Sequence, residues 1–353
     1  MSRSPSLGFG GFLLGLGVGW YVFTSIDLPS NVFAWVIIIA GVGVVASSLI
    51  SWKRFDVNVG GLVRGAVGGL VLSLIFTTGL GFMGGPVISG DYRAEDVKTH
   101  SGAMPSDSVY LEIDVFNGNV AVSTWSRSDY SIEMTVRARG VTTAEAERNL
   151  DDFSYSFDES RVQGQDRLVL RHGISPTNTN KYSVSVEAFL PEGATIDVDL
   201  ETSNGGIQLS DVTGGSVELR TSNGELNLDK VYAETLNGRT SNGRILGELE
   251  APETTLRTSN GKIDLELPCT VSGDYVLETS NAAIDLLLSS SPGVGYKLDF
   301  STSNGGVDLD LPNLDYSVDQ RTRKVAETEG YASKGVQIEI DGSTSNAGVD
   351  VNS

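Results

Sequence analysis

Seven copies of Thr-Ser-Asn start at Thr202, Thr221, Thr240, Thr258, Thr279, Thr302 and Thr344, and glycine follows in all but two, where Ala282 and Ala347 stand. The spacings are 19, 19, 18, 21, 23 and 42 residues. A recurrence of that length marks a repeat architecture before any single motif does. The last spacing is twice 21, which predicts one unmarked repeat between Thr302 and Thr344.

Apolar residues keep step with the repeated word. Val217 and Leu219 precede Thr221, and Leu226 and Leu228 follow it; Leu298, Phe300, Val307 and Leu309 do the same around Thr302. Around Thr202, Ile196 and Val198 sit two places further out, with Ile207 and Leu209 on the far side. Alternation with period two on both sides of a turn predicts two half-buried strands per repeat. Counting on by twos from Val217 predicts that Thr221 and then Asn223 face inward, with Gly224 taking the positive φ of a corner.

Two architectures fit: a meander of Asn-Gly hairpins, or a β-solenoid whose coils all bend at one place. In a meander, successive turns are two strands apart, whereas in a solenoid they stack at about 4.8 Å. Direct stacking rewards identity, because side chains in register hydrogen-bond along a ladder. The repetition therefore favours the solenoid. The expected ladder comprises Thr202 with Asn204, Thr221 with Asn223, Thr240 with Asn242, Thr258 with Asn260, Thr279 with Asn281, Thr302 with Asn304 and Thr344 with Asn346. Its role is structural, and no catalytic, cofactor or metal residue is predicted.

The stretch 111–122 fits the same template with Val115 in the threonine place and Val120 and Val122 beyond the corner, so the repeat domain spans 109–353. Within it, 191–353 forms the TSNG coils and 109–190 an elaborated first layer that caps the open end. That layer holds strands over 130–137, 167–171 and 182–190 and a short helix over 142–152 opened by Thr142 or Thr143. Residues 315–333 read as a loop or far-end cap, and 86–108, rich in Gly, Ser and charge, as a linker.

Residues 1–85 differ in kind. Apolar stretches at 8–25, 32–50 and 62–82 are each about the ~20 residues a membrane helix needs, predicting three transmembrane helices. The connection 26–31 has no Lys or Arg, whereas Lys53, Arg54 and Arg64 cluster at the second. The positive-inside rule then puts the N-terminus in the cytoplasm and the β domain outside the cell membrane. Gly11, Gly15 and Gly19, and again Gly61, Gly65 and Gly69, form smooth stripes suited to close contact with a membrane-protein partner.

The β domain is strongly acidic. Of 25 basic and 45 acidic residues, four and two fall in residues 1–90, leaving an acidic excess of 22 beyond them. That excess repels nucleic acid and anionic lipid. Catalytic chemistry is sparse: the two histidines are His100 and His172, one cysteine, Cys269, follows Pro268, and no Asn-x-Ser/Thr acceptor occurs. Outward carboxylates such as Glu218, Asp264, Asp285, Asp308 and Asp310 are numerous, and none is chemically distinguished from the others.

The segment LPEGATIDVDLETSNGGIQL at 190–209, followed by further TSNG coils, resembles the DUF4097 family of bacterial and archaeal β-strand repeat proteins. The resemblance covers about residues 108–353. It implies a right-handed, solenoid-like β fold, often tethered to membrane segments and in some relatives associated with envelope stress, and it supplies no catalytic residues. The expectation is a cell-surface, non-enzymatic, adhesin-like module that binds or scaffolds an envelope polymer or protein. An envelope-stress regulator working through a membrane partner is the alternative. A polysaccharide-acting enzyme is a third reading and requires a convergent acidic cluster in a groove.

Overall fold

The computed structural model describes residues 92–353. The three expected membrane helices and the glycine stripes lie outside the described residues. Among the described residues no helix is long and apolar enough to cross a membrane.

Each of the seven Thr-Ser-Asn coils has a strand leading into that corner and a strand trailing from it, and two coils without the word precede them. In chain order the strands are β1 (Tyr92–Ala103), β2 (Ser108–Asp114), β3 (Val120–Trp125), β4 (Asp129–Gly140), β5 (Tyr155–Val162), β6 (Gln165–His172), β7 (Tyr182–Pro191), β8 (Thr195–Glu201), β9 (Ile207–Ser210), β10 (Thr213–Arg220) and β11 (Leu226–Arg239). They continue with β12 (Ile245–Glu250), β13 (Glu253–Arg257), β14 (Ile263–Leu267), β15 (Gly273–Glu278), β16 (Ile284–Leu288), β17 (Val294–Thr302), β18 (Val307–Asp310), β19 (Leu314–Gln320), β20 (Arg323–Thr328), β21 (Val336–Thr344) and β22 (Val349–Asn352).

Leading strands stack in the order β6, β2, β8, β10, β11, β13, β15, β21, β17, every neighbouring pair parallel. Trailing strands stack as β7, β3, β9, β11, β12, β14, β16, β22, β18, again parallel throughout. The long β11 serves both walls. A meander would pair its neighbours antiparallel, so the parallel ladders identify a two-walled β-solenoid.

Side chains alternate across each wall. Leu200, Leu219, Leu256, Leu277 and Phe300 line one inward row, all fully buried. Burying a side chain of this size contributes about 1.5–3 kcal/mol. Gly342 lies beside Phe300 in that row, and a Cβ there would fall 2.2 Å from the Phe300 ring. The ring fills the space the glycine leaves.

Spatial order departs from chain order at both ends. The coil carrying Thr344 inserts between those of Thr279 and Thr302, because β21 pairs with both β15 and β17. The 42-residue spacing therefore contains no unmarked coil. The hairpin β19–β20 occupies it, and β20 closes the far end by pairing antiparallel with β17. At the other end the coil of β2 and β3 sits inside that of β6 and β7, which is flanked by antiparallel β5 and β4.

The first layer shows one further difference and one agreement. Within the expected linker, β1 pairs with β4 along its whole length. Its side chains are mostly exposed, so no apolar alternation announces it. The helix α1 (Thr143–Asp151) starts where expected: the Thr142 Oγ1 accepts from the Glu145 N–H at 3.2 Å, and the Glu145 carboxylate accepts from the Val141 N–H.

Candidate functional site

The repeated corner has an inner and an outer row. All seven threonines are inward and only 2–8 % exposed. Each hydroxyl donates to the corner carbonyl of the adjacent coil at 2.8–3.0 Å, as Thr221 does to Gly205 and Thr344 to Ala282. In four coils the same oxygen accepts the glycine N–H of its own corner, at 3.1 Å for Gly243 onto Thr240.

The asparagines, expected inward, are exposed. Their amides form a continuous outer ladder in the spatial order Asn117, Asn204, Asn223, Asn242, Asn260, Asn281, Asn346, Asn304, each donating to the one before. Asn204 bonds Asn117, and the other six links are 2.5–2.8 Å. Alternation fails here because the chain turns after the threonine and the glycine takes the next buried place. A Cβ at Gly224 would lie 1.7 Å from the Gly205 carbonyl oxygen. Close approach, and not a left-handed backbone, calls for glycine: no glycine of a Thr-Ser-Asn corner has a positive φ, whereas the opposite corner does, 55° at Asp211 and 54° at Lys230. In two coils Ala282 and Ala347 hold the place, half-buried.

Outside the trailing wall, one row of side chains runs in register over ten strands. It reads Glu133, Glu187, Ala121, Gln208, Asn227, Leu246, Asp264, Asp285, Asp350, Asp308. Three of the predicted outward carboxylates thus come together, joined by Asp350; Glu218 lies on the leading wall. Like charges stacked at about 4.8 Å are unfavourable. Lys262 offsets the first two, its Nζ 2.8 Å from Asp264 and 2.5 Å from Asp285. Hydrogen bonds to Asp264 and then to Asp285 hold its ammonium above the usual lysine range.

At the other end of the row lies a groove of about 440 Å³. Ala121 and Gly206 leave it open, and Glu133, Glu187, Gln208 and Asn227 supply polar walls. The volume falls in the range of small-ligand sites. Glu133 and Glu187 are direct neighbours on adjacent strands. A glycosidase pair instead flanks its bond from two sides. This groove escaped sequence reading because its residues come from β4, β7, β3, β9 and β11, and only the stacking order assembles them.

Cys269 and the histidines sit apart from this surface. The Cys269 Sγ is 3.1 Å from the Leu267 carbonyl, and burial pushes the thiol up. His100 stacks on Phe157 at 4.1 Å, and burial lowers its pKa; His172 stands edge-on to Phe116 at 4.7 Å. Among the described residues no group of three or more His, Cys, Asp or Glu is arranged to hold a metal ion.

A comparison with curated proteins finds no match. Among solved structures, the chain is similar to a candidate cell adhesion protein from Clostridium sporogenes, with a TM-score of 0.32 and 9 % identity, covering 73 % of this chain and 99 % of that one. A candidate adhesin from Parabacteroides distasonis matches with a TM-score of 0.31 and 12 % identity over 72 % of this chain and 97 % of the other. A candidate lipid binding protein from the same organism matches with a TM-score of 0.27 and 11 % identity over 73 % and 97 %. None of these likenesses carries a ligand or an activity over to this chain. The parallel coils and their repeated corners accompany a direct family match: the model of the Toastrack DUF4097 family matches residues 179–344 of this chain.

Proposed function

We propose that this protein is a membrane-anchored, extracytoplasmic, non-enzymatic binding module, adhesin-like in action, that presents rows of polar side chains to an extended envelope polymer or protein. The observation that supports it is the outward row from Glu133 to Asp308, ten strands in register with polar side chains at every position but Ala121 and Leu246. Its acidic segment raises the local concentration of a cationic or cation-bridged ligand. No member of the row stands out chemically.

Neutralising Asp264, Asp285, Asp350 and Asp308 singly and then together should lower retention of an isolated envelope ligand step by step. Retention should also weaken with salt, since exposed charges are screened beyond about 10 Å at 0.1 M. One substitution that abolishes a hydrolytic rate while leaving the fold intact would overturn the non-enzymatic reading.

The anchor is tested separately. In a Cys269→Ser background, Ser30→Cys should react with an impermeant maleimide on intact cells and Ser51→Cys should not. The reverse pattern would overturn the orientation.

A further inference from the structure

We infer that the leading wall carries a second binding surface, centred on Arg239, for an anionic polysaccharide whose charges are carboxylate or phosphate groups. Arg220, Arg239 and Arg257 occupy one outward register position on three consecutive strands. Neighbouring parallel strands lie about 4.8 Å apart, so three guanidinium stems are stacked where like charges oppose one another. The row is closed on either side by Glu201 and Glu278.

Counter-charge is distributed unevenly along it. Arg220 is 3.0 Å from Asp199 and 2.9 Å from Glu218, and Arg257 is 2.7 Å from Glu278. Arg239, exposed between them, makes no ion pair among the described residues. The reason is visible in the next outward row: the positions in register with Asp199 and Glu218 become Asn237 and then Thr255. Neutral groups stand where the adjoining coils have acids, in a domain with an acidic excess of 22. Asn237 serves Glu218 as a hydrogen-bond partner and carries no charge to pair with Arg239, so an anionic ligand would meet a free guanidinium fork able to bond two oxygens at once.

Beside the arginine row lies a depression of about 280 Å³ lined by Thr235, Asn237 and Thr255, with Glu253 and Asp274 at its far side. Hydroxyl, amide and carboxylate groups of this kind exchange hydrogen bonds with sugar hydroxyls. Charge at the arginines and hydroxyls at the depression together specify an acidic sugar and not a bare anion. The wider acidic field does not forbid it, because screening at physiological ionic strength confines each charge to about 8 Å.

The inference rests on the reading of the domain as a binding module, and its test uses different residues. The full-length chain in detergent is titrated with polygalacturonate, with dextran phosphate and with neutral dextran. The charged polymers should bind and the neutral one should not, with the better of the two identifying carboxylate or phosphate as the preferred group. Arg239→Gln should weaken binding by about tenfold, and Arg239→Lys, which keeps the charge without the fork, by less. Because Arg239 is exposed, thermal unfolding of both variants should match the parent. Neutralising Asp264, Asp285 and Asp308 should leave this binding intact. Failure of both charged polymers to bind, or binding that Arg239→Gln leaves unchanged, would overturn the inference, while the trailing-wall row would still stand or fall by its own variants.

Discussion

Phe300→Ala is expected to destabilise the β domain by about 3–5 kcal/mol, the range for deleting a fully buried aromatic ring. Two features put it at the upper end. The ring is wholly buried, and its neighbour in the row is Gly342, which has no side chain to move into the void. Gly342→Ala alone should also be destabilising, because its Cβ would meet the ring at 2.2 Å. Combined, the two changes should cost less than their sum, since the new methyl group occupies part of the space the ring vacates. Thermal or urea unfolding of the two single variants and the double variant measures that coupling. Strict additivity would mean that β17 and β21 are not neighbours, and with it the insertion of the Thr344 coil between those of Thr279 and Thr302 would fall.

Much of this architecture was legible in the repeated word. Leu226 and Leu228 in register with Ile207 and Leu209 are the period-two pattern read directly from the chain. Parallel stacking followed from the identity of successive corners, and the start of α1 was narrowed to Thr142 or Thr143, of which Thr142 is the cap. What escaped was everything set by order in space. Nothing local in 302–344 says that the chain runs past its last coil, turns through β19 and β20 and returns one layer inside. Nothing in β1 distinguishes a mostly exposed edge strand from a polar linker. The outward turn of Asn223 was missed because alternation was extended through a corner, where Gly224 takes the inner place to let two backbones approach.

The candidate surface was legible in part. Asp264, Asp285 and Asp308 could be assigned to outward positions, yet their union with Asp350, Glu133 and Glu187 in one row depends on which strands lie side by side. The arginine row was hidden for a different reason. Arg220, Arg239 and Arg257 directly precede three threonines of the repeat, but each looks like an ordinary solvated charge until the acids beside them are traced strand by strand.

The repeated word joins coil to coil through its buried threonines, while the exposed asparagines trim the outer edge. Thr240 is 2 % exposed; its hydroxyl donates to the Gly224 carbonyl at 2.9 Å and accepts the Gly243 N–H at 3.1 Å. Thr240→Val keeps the shape and strands both backbone groups, at roughly 1–3 kcal/mol for each buried group left unsatisfied. Asn242→Ser breaks two links of the exposed ladder, to Asn223 and Asn260, whose freed groups water can satisfy. Its loss should stay within about 1 kcal/mol. Equilibrium unfolding of these two variants beside the parent is the direct measurement. Thr240→Val should lose at least twice as much stability as Asn242→Ser; equal losses, or a larger one for the asparagine, would contradict the account.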